Sequence, residues 1–118
     1  NGSIYQKADY KEGVMNGLWE RYVDGILVEK GTYIEGKKDG LWVFYAQNGY
    51  KQREQEFKQG KPNGKWVEYF SANKKSAEGE YSDGQKTGTW KNYDKKGNVL
   101  TETVFKNGKK IKEEIKKK

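Results

Sequence analysis

Trp19, Trp42, Trp66 and Trp90 stand 23, 24 and 24 residues apart, and Tyr22, Tyr45, Tyr69 and Tyr93 keep the same intervals. A second aromatic series, Tyr10, Tyr33, Phe57, Tyr81 and Phe105, runs in step with them. Glycines keep pace in pairs four residues apart: Gly13 and Gly17, Gly36 and Gly40, Gly60 and Gly64, Gly84 and Gly88. Self-similarity at a fixed period is the mark of one supersecondary unit stacked on copies of itself. The unit reads aromatic-x-x-Gly-x-x-x-Gly-x-Trp-x-x-Tyr, followed by a turn and a second run. Four full copies fall near residues 10–32, 33–56, 57–80 and 81–104, with partial units at both ends. The fifth opens at Phe105 and Gly108 and stops where Lys112 takes the place of the next glycine.

Each unit holds two runs of strand-forming residues. The first kind is LWERYV (18–23), LWVFYA (41–46), KWVEYF (65–70) and TWKNYD (89–94). The second kind is ILVEKGTYI (26–34), YKQREQEFK (50–58), KSAEGEYS (75–82) and VLTETVFK (98–106), and SIYQKADYK (3–11) matches it. Asp24-Gly25 is a two-residue hairpin signal, because a tight turn needs positive φ. The Gly-x-x-x-Gly segments, with Asn16, Asp39, Asn63 or Thr87 before the second glycine, read as the loops at the other joint. Short strands with a turn at every joint pair with their neighbours in sequence. The expected fold is therefore all-β: an elongated, twisted antiparallel meander of consecutive hairpins, about nine strands and roughly 40 Å long. Trp and Tyr of one unit are three residues apart, which places a Trp row and a Tyr row on opposite faces. Arg21, Phe44, Glu68 and Asn92 share the nominal Trp face. The repeat array covers 1–108 and leaves a basic tail at 109–118. There Ile111 and Ile115 stand i, i+4, so the tail is expected as a short helix or fold-back over the last strand edge, or as disordered chain.

Hydrophobic residues make up 32% and charged residues 35%, which is lean for a thick core. Aromatics at 14%, recurring at fixed intervals, argue against disorder. Without Cys or His, the chain has no disulfide framework, no Cys-His or Ser-His-Asp catalysis and few transition-metal options. No apolar run is long enough to span a bilayer as a helix. The net charge is +7, but the ten tail residues hold six Lys and two Glu, so the other 108 residues carry only +3. That footprint is too weak to expect nucleic acid as a partner. The chain opens on Asn1-Gly2, a turn in mid-unit, so upstream repeats or a leader are expected.

The pattern Tyr/Phe-x-x-Gly-x-x-x-Gly-x-Trp-x-x-Tyr, closed by a turn glycine such as Gly49 or Gly97, resembles the MORN repeat. It is most similar to the variant common in bacterial proteins. The resemblance covers residues 1–108 and implies an elongated, twisted antiparallel sheet. It also implies membrane-lipid binding, protein scaffolding or dimerisation. Bacterial variant proteins are often exported or envelope-associated, and some are antitoxins of toxin–immunity pairs, so an exported or envelope setting is expected.

The rows of rings could be a stacking platform, but rings that recur with the turn glycines are first of all the fold's own packing. The Gly-x-x-x-Gly segments carry Lys, yet lack the Gly-Lys-Ser/Thr string and following helix of a phosphate-binding loop. Paired carboxylates such as Glu54 and Glu56, or Glu78 and Glu80, stand on an open sheet where no pocket is expected to raise a pKa. No catalytic residue, metal site or cofactor is therefore expected. The expected function is a non-enzymatic interaction module that binds a protein partner. Its contacts are expected at Trp19, Arg21, Trp42, Phe44, Trp66 and Trp90. An alternative is an anionic-lipid surface met by lysines at one set of loop tips, Lys37, Lys38, Lys61, Lys86, Lys109 and Lys110, together with the tail. A further alternative is an immunity protein that neutralises a toxin.

Overall fold

Six Xaa-Gly pairs set the topology: Glu12-Gly13, Asp24-Gly25, Glu35-Gly36, Gln59-Gly60, Asp83-Gly84 and Asn107-Gly108 all have positive φ at both residues. Two consecutive left-handed residues are the signature of the tight I′ hairpin turn, whose twist matches that of the flanking strands. The computed structural model describes residues 3–116. Ten strands form one sheet in the order of the chain: β1 (Ile4–Lys11), β2 (Val14–Val23), β3 (Ile26–Ile34), β4 (Lys37–Tyr45), β5 (Lys51–Lys58), β6 (Lys61–Ser71), β7 (Lys74–Ser82), β8 (Gln85–Tyr93), β9 (Val99–Lys106) and β10 (Lys109–Ile115). Every neighbouring pair is antiparallel. The molecule measures 50 × 33 × 19 Å, and its radius of gyration of 16.5 Å exceeds the roughly 13–14 Å of a compact chain this long. The all-β meander expected from the repeat is the observed fold.

Two expectations need correcting. The tail is neither helical nor disordered through Ile115. Lys109–Ile115 is the tenth strand, turned back by the Asn107-Gly108 hairpin and paired antiparallel with β9. Lys117 and Lys118 at the tail's end, and Asn1-Gly2, where a turn is expected, lie outside the described residues. The Gly-x-x-x-Gly segments are not loops either. The turn closes at the first glycine, and the second lies inside the next strand. There three residues oppose one: Gly88, Thr89 and Trp90 face Gly79 between the Glu78–Lys91 and Glu80–Thr87 pairs. Gly88, at φ 73°, supplies the left-handed residue that this enlarged bulge requires.

The bulge explains how a single sheet makes a core. It folds the indole of Trp90 back over Gly79 and that of Trp42 over Gly31. Trp42 and Val67 are fully buried, and Val43, Ala77, Trp90 and Thr103 nearly so. Trp42 and Val67 belong to opposite faces, since Val43 pairs with Glu54 and Glu54 with Val67 in the row next to the Trp row. Each face therefore carries a thin buried stripe of its own.

Candidate interaction surface

The rings divide between the faces as their i, i+3 spacing requires. Trp42 packs at 5.4 Å from Trp19, 5.1 Å from Tyr33 and 6.2 Å from Phe57. Trp90 repeats this at 5.1 Å from Trp66, 5.2 Å from Tyr81 and 6.1 Å from Phe105. Lys38 lies 4.6 Å from the Trp42 ring and 5.0 Å from Phe57, and Lys86 lies at the same distances from Trp90 and Phe105. The indole N–H of Trp42 donates to the Thr32 carbonyl at 3.2 Å, and that of Trp90 to the Glu80 carbonyl at 3.2 Å. Gly31 and Gly79, Lys38 and Lys86, Trp42 and Trp90, Phe57 and Phe105 are each 48 residues apart. The structural repeat is thus two sequence units long, and the chain holds two copies of one aromatic cassette.

Alternate units differ at the bulge as well. Asn16 and Asn63 accept from the backbone N–H of Glu35 and Asp83 in the next turn, each at 2.9 Å. The corresponding residues of the other units are Asp39 and Thr87. Gln55 stands between Trp42 and Trp66, pairing with both, where Gly31 and Gly79 stand inside the cassettes. The doubled period was present in the sequence as the Gly31/Gly79 and Lys38/Lys86 matches, hidden beneath the stronger 24-residue signal.

This packing sorts the expected contact residues. Trp42 has no accessible surface and Trp90 only 9%, so neither offers a face to a partner. Trp19 and Trp66 are half-buried, as are Arg21 and Phe44. The row beside the tryptophans runs Arg21, Glu29, Phe44, Arg53, Glu68, Ala77 and Asn92. It follows no period. Arg21 Nε donates to Glu29 Oε1 at 3.3 Å, and the Arg53 guanidinium stacks on Phe44 at 4.3 Å. Arg53 Nε is closed from solvent and finds no acceptor among the described residues.

The expected basic stripe is also sorted. Lys37, Lys61 and Lys109 begin their strands and point to solvent beside the turns, whereas Lys38 and Lys86 are held over rings and Lys110 is paired with Glu113 at 3.1 Å. Acidic residues Glu12, Glu35 and Asp83 occupy the turns on the same edge.

On the opposite face the tyrosines end on carboxylates. Tyr69 donates to Glu54 at 2.6 Å, and Lys51 donates to the other oxygen at 3.1 Å. One unit on, Tyr93 and Lys75 hold Glu78 in the same way. Burial opposes the charge of Glu54, but Tyr69 and Lys51 outweigh it and its pKa falls below the usual value. For Glu78 the Tyr93 hydrogen bond is the leading cause of a lowered pKa, with burial opposing. Burial first, then the carboxylate each one bonds, pushes Tyr69 and Tyr93 up to about 12.

The two shifts have opposite consequences for stability. The glutamates contribute above their unfolded pKa of about 4.3 and lose that contribution as pH falls through their lowered folded values. The tyrosines contribute below their unfolded pKa of about 10 and lose it as pH rises through about 12. The urea midpoint is expected to be level from about pH 5 to 9 and to decline on both sides. The Tyr69→Phe/Tyr93→Phe pair should flatten the alkaline decline, and an unchanged alkaline arm would contradict this pairing.

No protein-family model matches the chain, and comparison with curated proteins finds no significant match.

Proposed function

We propose that this chain is a non-enzymatic interaction module, a MORN-type array that binds a protein partner on its Trp face. The observation that carries the reading is the aperiodic row Arg21, Glu29, Phe44, Arg53 and Glu68 beside a strictly periodic aromatic scaffold. Residues that build a repeat recur with it, so departures from the period on an accessible surface are where a fold can carry specificity. Arginine and aromatic side chains are also the types that dominate binding energy at protein interfaces. The half-buried rings of Trp19 and Trp66 add apolar area to the same face.

Affinity capture from the source organism's extract, compared between the native chain and an Arg21→Ala/Phe44→Ala variant, tests the reading. A protein retained by the native chain should bind the variant about 30-fold or more weakly. A Lys37→Ala/Lys61→Ala variant on the turn edge should retain that protein. Equal capture by the first variant would contradict the assignment.

A further inference from the structure

At the edge of the sheet opposite five of the six Xaa-Gly turns, and shared with Asp24-Gly25, the Ala72-Asn73 hairpin tip with the start of β7 and the 94–98 loop flank an open cleft of about 610 Å³. Lys74, Lys75, Lys95 and Lys96 line it, with Tyr93, Glu78 and Asp94. Both acids are engaged. Glu78 is held by Tyr93 and Lys75. Asp94 closes its own loop, its Oδ1 accepting from the backbone N–H of Lys96 and Asn98 at 2.9 Å and its Oδ2 from the Asn98 amide at 3.2 Å. Lys74, Lys95 and Lys96 are exposed, and no ion pair within 4.0 Å involves them among the described residues.

The repeat does not call for these three lysines. One unit earlier, Glu54, Tyr69 and Lys51 reproduce the Glu78, Tyr93 and Lys75 arrangement, so that arrangement belongs to the repeat. The loop there is Ala46-Gln47-Asn48-Gly49, without charge, and Ser71-Ala72 stands where Lys95-Lys96 follows in the next unit. The lysine cluster is therefore aperiodic, and its members repel one another; Lys95 Nζ reaches the Phe70 ring only at 5.9 Å, a weak hold that leaves its charge in solvent. A concentrated positive cleft acts as a focus for negative charge.

We propose that this cleft binds an acidic protein segment, an extended run of Asp or Glu whose carboxylates meet Lys74, Lys95 and Lys96 along the wall formed by Tyr93. The chemistry favours carboxylates over a phosphate group. A phosphate site is built from convergent backbone N–H groups or an Arg fork, and here the Lys96 and Asn98 N–H groups are taken by Asp94. What remains is a set of flexible point charges, which suits negative charge spread along a chain. The volume falls within the range of small-ligand clefts, roughly 300–1,000 Å³, and accommodates a few side chains at a time. The site lies on the face opposite the Trp row and stands or falls separately from the interaction proposed there.

Fluorescence anisotropy with a labelled hexaglutamate peptide at low salt tests it. The native chain should bind saturably. Lys74→Gln/Lys95→Gln/Lys96→Gln should weaken binding about tenfold or more, whereas Lys37→Gln/Lys58→Gln/Lys61→Gln, an equal change of charge on the other edge, should change it less than about twofold. Unchanged circular dichroism confirms that both variants are folded. Absence of binding, or equal losses in the two variants, would overturn the proposal. So would displacement of the peptide by inorganic phosphate beyond that caused by chloride at matched ionic strength. Cleft-dependent binding to phosphatidylserine vesicles without peptide binding would assign the lysines to a membrane and also overturn it.

Discussion

Gly31→Ala is expected to destabilise the protein by about 3 kcal/mol or more, and Gly79→Ala by a similar amount. A Cβ at Gly31 would stand 2.1 Å from Cδ2 of Trp42, and one at Gly79 would stand 2.0 Å from Cδ2 of Trp90. Neither glycine has positive φ, so the backbone itself would accept alanine. In the absence of the indole, the change would stabilise by about 0.4–1 kcal/mol, because alanine restricts the unfolded chain. The sign of the effect is therefore diagnostic. The indole is bound to a backbone carbonyl and wedged among rings, so it cannot yield a few tenths of an ångström without losing its place. Thermal unfolding of Gly31→Ala should fall by roughly 12–20 °C. An unchanged or raised midpoint would show that the indole does not lie over the glycine.

Trp42→Ala should cost about 3–5 kcal/mol, and Trp66→Ala distinctly less. Trp42 is fully buried, touches three rings and Lys38, and satisfies the Thr32 carbonyl. Trp66 is half-buried and, among the described residues, has its one ring contact with Trp90. Domain stabilities are of order 5–15 kcal/mol, so Trp42→Ala removes a large share of what a thin sheet can hold. Denaturant unfolding measures both, and equal losses at the two positions would contradict the cassette.

Much of this architecture is legible in the sequence. Strand order follows from turns that recur at every joint, and the separation of Trp from Tyr follows from the alternation of side chains along a strand. Structure departs from expectation where a local window is silent about what lies beside it. Gly13 and Gly17 look like two ends of a loop, but a loop and a turn followed by an enlarged bulge place glycines at the same spacing. Ile111 and Ile115 satisfy a helical spacing, yet the free edge of β9 draws them into a strand, with the register shifting between Lys110 and Lys112. The lysine cleft brings together residues 74–75 and 95–96, two Lys-Lys pairs on separate tips that only the pairing of β7 with β8 makes neighbours.

The central claim is that the four tryptophans are two nested pairs, in which one ring of each pair is sealed by the other and by a glycine floor. Hydrogen exchange of the four indole N–H protons, followed by NMR, tests this most directly. Trp42 and Trp90, whose Nε1 groups donate to the Thr32 and Glu80 carbonyls, should exchange slowly, and the half-buried Trp19 and Trp66 should exchange fast. Four protons with the same rate, or slower exchange at Trp19 and Trp66, would contradict the account.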